Sequence, residues 1–344
     1  MLIALDGARL GGGHALRSAL TLSAVTGQGF ELHKVRAGQP RSGLHPDQTA
    51  EVRAAALCCA AKLSGIFDGS TELRFEPGAA AAGEYHIELP GSASVAQLLQ
   101  VLVPILALAD EPSRVVAVGG THVPRAPAHE FFAQAWLGTL ARLGLGASAT
   151  LERIGFHPAG GGQVAAQVDG WTRPASLDLS RRGELLSLRG VSADSRVRGD
   201  AARRQRDACA AYLWEQRRLE VAWDVTPVRA ASPGTYLYLG VEFEHSRTGF
   251  IHLGQRGLSP DALGQRLARR LLQFLDLDGA PALDARLAEQ LVVPLALGRG
   301  GGRLTTPEVS LHLETTVELA RAFGFDVRVE GRRGGPGTVE IAAC

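Results

Sequence analysis

Apolar and polar positions follow two rhythms along this chain, and one order of them keeps returning. A short apolar strand ends in a loop of glycine, serine or proline, and a helix with apolar residues every three to four positions follows. This order occurs at Leu2–Ala24. It returns where Leu89–Ser94 runs into Val95–Leu108, and where Val116–Thr121 leads through Pro124 and Pro127 into Ala128–Leu143. A last instance precedes Glu314–Phe323. Alternating segments at Glu72–Phe75 and Gly162–Val168 read as strands with one buried face. The triplets Gly11–Gly13, Gly160–Gly162 and Gly300–Gly302 punctuate what read as corresponding places. The pattern predicts an α+β fold of repeated units, with helices on one face of each sheet.

Between about Arg182 and Asp276 the texture changes. Arginines become dense and the glycine-loop-to-helix order stops. Gly234–Glu244 reads as strand, and Ser259-Pro260-Asp261 starts a helix over Pro260–Phe274, with serine as cap and proline at the first helical position. A smaller inserted domain is expected at 183–275, between two parts of a discontinuous core at 1–182 and 276–344.

At 344 residues and 45% hydrophobic, the chain can bury a large core. No apolar run is long enough to span a membrane, and the N-terminus has no basic, apolar and cleavage-site succession, so a cytoplasmic location is expected. The four cysteines, Cys58, Cys59, Cys209 and Cys344, suit neither a disulfide framework nor a zinc knuckle. Nearly all basic residues are arginine, and the net charge of +1 argues against a protein that coats nucleic acid. The cluster Arg181, Arg182, Arg189, Arg196, Arg198, Arg203, Arg204 and Arg206 reads as a solvated face.

Two places carry candidate chemistry. In Leu5–Leu20 a glycine triplet separates a strand from a helix, with Arg17 about one turn inside. Such a loop brings backbone N–H groups to an anion, although a simple tight turn explains it equally well. It lacks the ending of a P-loop, and Leu16 stands where a dinucleotide loop needs a small residue. The second place is His312, between Leu311 and Leu313 just before the last helix. Alternation turns it away from those two leucines. No serine-protease spacing or zinc motif is present.

Several short blocks, in order, resemble the RNA 3′-terminal phosphate cyclase family. They are Leu5-Asp6-Gly7-Ala8 with Gly11–Gly13 and Leu16-Arg17-Ser18-Ala19-Leu20; Val35-Arg36-Ala37-Gly38 with Gly43-Leu44; and Gly119-Gly120-Thr121 with Ala126-Pro127. Gly155-Phe156-His157-Pro158-Ala159 with Gly160–Gly162, Gln290-Leu291-Val292-Val293-Pro294 and Ser310-Leu311-His312-Leu313 complete the set. The resemblance implies three repeated βαβαββ-type units like the C-terminal domain of translation initiation factor 3, and a smaller α/β inserted domain. It implies that His312 attacks the α-phosphate of ATP, and that the adenylate then activates the 3′-terminal phosphate of RNA for closure to a 2′,3′-cyclic end. It further implies an ATP site formed by Gly11, Gly12, Gly13, His14, Arg17, Arg36, Arg41, Pro127, Phe131, Arg286, Glu289 and Gln290. A divalent ion, magnesium or manganese, would accompany the triphosphate.

The chain departs from the family's pattern around that ATP site. Leu10 stands at the position of the loop glutamate, and His14 replaces a glutamine. Asp47 appears where the family has glutamine, so Asp47 or His14 is a candidate substitute metal ligand. Arg286 replaces an aromatic residue near the adenine, Glu289 an aspartate and His157 a tyrosine. Three readings follow: a working cyclase with a remodelled metal site, a weak adenylating enzyme acting on another phosphorylated end, or a cyclase-like RNA-binding protein without catalysis.

Overall fold

Apolar content and caps decide where the helices of this chain form. The structure is a computed structural model and describes residues 2–10, 12–171, 176–298 and 300–343. It opens with β1 (Ile3–Asp6), one helical turn α1 (Gly7–Leu10), α2 (Gly12–Thr26), β2 (Phe30–His33), α3 (Pro46–Cys58), β3 (Lys62–Ser64) and β4 (Leu73–Glu76). Next come β5 (Glu84–Glu88), α4 (Val95–Leu106), β6 (Ser113–Gly119), a π-helical turn Phe131–Trp136, α5 (Leu137–Ala141), β7 (Leu145–Arg153) and β8 (Gly162–Trp171). β9 (Leu177–Leu179) precedes β10 (Leu185–Ser195), α6 (Ala201–Arg217), β11 (Ala222–Pro227), β12 (Gly234–Phe243), β13 (Arg247–Leu253) and α7 (Pro260–Leu275). The chain ends with α8 (Ala285–Leu297), β14 (Gly302–Thr306), α9 (Leu311–Ala322), β15 (Val327–Gly331) and β16 (Gly337–Ile341).

The fold is mixed α/β, with four four-stranded sheets among the described residues. Three of them have one strand order: β1-β2-β4-β3, β5-β6-β8-β7 and β9-β14-β16-β15. In each, the first pair is parallel and the other two are antiparallel. The fourth, β11-β10-β12-β13, has a different connectivity. Its β12 and β13 join α6 and α7 in an apolar cluster drawn from residues 188–274 alone, separate from the larger cluster under the other sheets.

Helices line the interior. α2 packs on α3, α4, α8 and α9, and its residues are buried almost all round, as its sparse polar content requires. Side-chain caps fix three helix starts near one another: Ser94 accepts from Gln97 N, Asp284 from Arg286 N, and Ser310 from Leu313 N.

Several expectations change. The glycine triplets do not correspond, since one opens α2, one enters β8 and one enters β14. Each answers a local need: at Gly160 (φ +65°) a Cβ would lie 2.0 Å from the Gly91 carbonyl oxygen. The repetition therefore lies in strand order and not in the glycines. The helix expected over Ala128–Leu143 forms, but its middle is the π-helical turn that precedes α5. The wider turn buries Phe131, Phe132, Ala135 and Trp136 together, with the Phe132 and Trp136 rings stacked 5.3 Å apart. Arg182 is not part of a solvated face. It is buried over the Phe274 ring and donates to the Phe274 and Leu275 carbonyls at the end of α7.

His122 is buried too. Its Nε2 lies 2.7 Å from Glu130 Oε2, and its ring lies 4.0 Å from that of Tyr236 on β12. The Tyr236 hydroxyl donates to Glu130 Oε1 at 2.6 Å. Burial acts to raise the Glu130 carboxyl, but His122 and Tyr236 outweigh it and bring it from 4.5 down to about 2. A carboxyl depressed on folding stabilises the fold above its unfolded pKa, and that contribution fades as pH falls through the folded value. Glu130→Ala should lower the unfolding free energy by roughly 3 kcal/mol at pH 7. In urea melts the gap to wild type should narrow between pH 4.5 and about 2; a gap constant with pH would contradict this account.

Candidate active site

The first turns of five helices face one cleft of about 710 Å³. Gly12 and Gly13 come from α2, Asp47 and Gln48 from α3, Gln97 from α4, Arg286 and Glu289 from α8, and His312 from α9. A helix N-terminus carries unpaired N–H groups and a partial positive charge of about half a unit. Five arginines line the same cleft, Arg17, Arg36, Arg125, Arg270 and Arg286, against the carboxylates of Asp47 and Glu289. Such a cleft favours a polyanion.

The local sequence explains the details. Gly12 has φ +73°, and a Cβ on Gly13 would press to 3.0 Å from the Gln48 amide and 3.3 Å from Arg17 Nη1. Only glycine brings the start of α2 this close to its neighbours. Arg17 sits on Glu51, its Nη1 3.4 Å from each carboxylate oxygen. Burial raises the Glu51 carboxyl, and Arg17 opposes the shift. Arg36 (φ +54°) and Arg125 (φ +64°) are held in the left-handed region. For a non-glycine residue that costs on the order of 1 kcal/mol, and such residues cluster at functional sites.

His312 is the second residue of α9, not part of a strand. The N-cap Ser310 turns the chain into a helix there, so Leu313 is buried while Leu311 is 51% exposed. The Glu289 carboxylate lies 3.6 Å from His312 Nδ1, and Ser310 Oγ donates to its other oxygen at 2.8 Å. Glu289 holds the His312 imidazole above its usual pKa, against the effect of burial. Burial raises Glu289 itself, but His312, His14 and Ser310 bring it below the usual carboxylate range. On the other side, the His14 ring stacks on His312 with centroids 4.9 Å apart and planes 27° apart.

Among residues named from sequence, Gly12, Gly13, His14, Arg17, Arg36, Asp47, Pro127, Phe131, Arg286, Glu289, Gln290 and His312 all line the cleft. Gly11 lies outside the described residues. Arg41 does not line the cleft. Turns at Gly38 (φ +80°) and Gly43 (φ +82°) leave its side chain exposed, and its carbonyl accepts from Arg36 Nε. Sequence reasoning missed Gln100, which donates to Gln290 at 2.7 Å, and also Arg125 and Arg270. Arg270 comes from α7, whose surrounding segment carries no motif that could have revealed it. Burial lowers the Arg270 guanidinium, with Arg286 adding to the shift.

A resident metal does not fit. Among the described residues no three His, Cys, Asp or Glu side chains gather as a metal-binding group. Glu289 is committed to His312 and Ser310, and Glu51 to Arg17, leaving Asp47 as a lone carboxylate. His14 Nε2 is taken by Thr316 Oγ1 at 2.7 Å. No described helix is long and apolar enough to cross a membrane.

A family model described as RNA 3′-terminal phosphate cyclase matches residues 8–330. The RNA 3′-terminal phosphate cyclase of Ralstonia nicotianae is 38% identical over 323 residues, covering 93% of this chain and 91% of that one. The protein of the same description from Salmonella paratyphi C is 36% identical over 94% of this chain and 92% of its own. The Halobacterium salinarum protein is 34% identical over 95% and 96%.

Ser310 both caps α9 and anchors Glu289. Ser310→Ala should therefore cost about 1 kcal/mol in urea unfolding. An unchanged midpoint would show that the cap carries no load.

Proposed function

The chain belongs to the RNA 3′-terminal phosphate cyclase family, and we propose that it converts the 3′-terminal phosphate of RNA to a 2′,3′-cyclic phosphate at the expense of ATP, with His312 as nucleophile. The observation that carries this reading is the placement of His312. It stands on the first turn of α9 in an anion-favouring cleft, with a carboxylate against Nδ1. A proton held at Nδ1 leaves the Nε2 lone pair for attack.

The steps balance. His312 Nε2 attacks the α-phosphorus of ATP; an N–P bond forms, and the bond to pyrophosphate breaks. The adenylyl group passes from Nε2 to an oxygen of the RNA 3′-phosphate. The neighbouring 2′-hydroxyl attacks the activated phosphorus, loses its proton and expels AMP. A phosphate monoester dianion repels nucleophiles, and the adenylate supplies the leaving group it lacks. Attacker and target share one ribose, so an effective molarity of ~10⁵ M is available for ring closure. The need for a 2′-hydroxyl selects RNA over DNA.

We assign the triphosphate to Gly12, Gly13, Arg17 and Arg36, and the base to the end lined by Pro127, Phe131 and Arg286, where a guanidinium plane takes the place of an aromatic ring. Glu289 orients His312, and Gln290 is held in place by Gln100. The phosphates would supply most of the oxygens around any magnesium or manganese ion, and no step here passes through a metal. The reading as a catalytically silent RNA binder is disfavoured by the intact Ser310–Glu289–His312 arrangement, which RNA binding alone does not require.

We also infer that the three sheets of common strand order are copies of one βαβαββ unit, as in the C-terminal domain of translation initiation factor 3. Residues 183–275 would be an insertion between β9 and α8. The separate apolar cluster of residues 188–274 supports this division.

Incubation with α-labelled ATP should place an acid-labile label on the protein, and His312→Ala should abolish it. Label of equal yield in that variant would overturn the assignment. Because Glu289 raises the His312 pKa, the neutral nucleophile is depleted as pH falls. Glu289→Gln should move the acid limb of labelling to lower pH, whereas an unmoved limb would separate Glu289 from the nucleophile.

A further inference from the structure

We propose that His14 is a positioning residue for the nucleophile: it holds the His312 imidazole by ring stacking and does not itself bind the nucleotide. This inference rests on the reading of His312 as nucleophile. It gives a purpose to a position where the resembling family carries glutamine, a side chain without a ring to stack.

The hydrogen bonds fix the state of His14. Thr316 Oγ1 donates its single proton to the His312 backbone carbonyl at 2.8 Å. It can therefore only accept from His14, whose Nε2 lies 2.7 Å away. His14 is thus the Nε2–H tautomer, with its donor already used. Burial, with Arg17 and His312 adding to the effect, brings its pKa from 6.5 down to about 4. The ring is neutral at physiological pH and adds no charge beside a nucleophile that must itself be neutral.

One face and one edge of His312 are then occupied. The His14 ring covers the face at 4.9 Å, and the Glu289 carboxylate lies against Nδ1 at 3.6 Å. Thr316 ties the two histidines together, bonding the ring of one and the backbone of the other. His14 belongs to the first turn of α2 and His312 to the first turn of α9. The stack therefore sets the nucleophile's orientation against the glycine-bounded start of α2, where we place the triphosphate. The two imidazoles have pKa values pushed in opposite directions, so neighbouring rings of one chemistry take two roles.

Three variants separate this role from others, read by single-turnover label transfer from α-labelled ATP over a range of ATP concentrations. His14→Phe keeps a ring for stacking and loses both nitrogens; it should stay within about threefold of wild type. His14→Ala and His14→Gln remove the ring and should slow transfer by ~10- to 100-fold, the scale of a misplaced reacting group. Half-saturation in ATP should stay unchanged. A raised half-saturation at an unchanged maximal rate would make His14 a nucleotide contact and overturn the proposal. Loss of transfer in His14→Phe equal to that in His14→Ala would overturn stacking as the cause. Circular dichroism and thermal melts identify any variant that fails to fold, and the phenylalanine variant then decides alone. His312→Ala serves as the independent control: if it still takes label, the nucleophile assignment fails, whatever His14 does.

Discussion

Five helix starts pointing into one space are the constraint on which the rest of this structure depends. Their N–H groups and five arginines would repel one another around an empty cleft, and a polyanion relieves that strain. The arrangement follows from the way the helices pack. α2 is apolar enough to be buried all round, so α3, α4, α8 and α9 gather about it with their sheets outside. Strained backbone at Arg36 and Arg125 is retained at the same place, where it aims charge into the cleft.

His312 is held by short-range interactions in the same region. Ser310 joins the start of α9 to Glu289 of α8, and Glu289 joins α8 to His312. One hydrogen bond and one ion pair thus connect the starts of α8 and α9. The 183–275 segment takes part as well. Gly249, Ile251 and Arg270 reach the cleft from it, while Tyr236 and Arg182 secure the segment to the rest of the molecule.

The sequence carried much of this. The helix start at Ser259 was readable because its cap chemistry is local, whereas the cap at Ser310, which starts α9 before Glu314, was not read. The change of texture near Arg182 is compositional, and a separate apolar cluster of residues 188–274 follows it. His312 was identified, but its alternation with Leu311 and Leu313 suggested a strand, since a two-residue period over so short a stretch does not distinguish a strand from the first turn of a capped helix. Arg41 was misplaced because a motif does not say which side of a loop its arginine faces. The His122–Glu130–Tyr236 network, the stack of His14 on His312 and the contribution of Arg270 were not legible. Each depends on residues brought together by tertiary packing, with no local signal in the chain.

The proposed reaction at this cleft closes a ribose 3′-phosphate into a ring. The most direct test supplies an oligoribonucleotide with a 3′-terminal phosphate and ATP, then treats the product with phosphatase. A phosphatase-resistant end should form with wild type, and should be absent with His312→Ala and when the terminal ribose lacks its 2′-hydroxyl. A terminal phosphate that stays phosphatase-sensitive with active, self-labelling protein, or a resistant end formed without the 2′-hydroxyl, would contradict it.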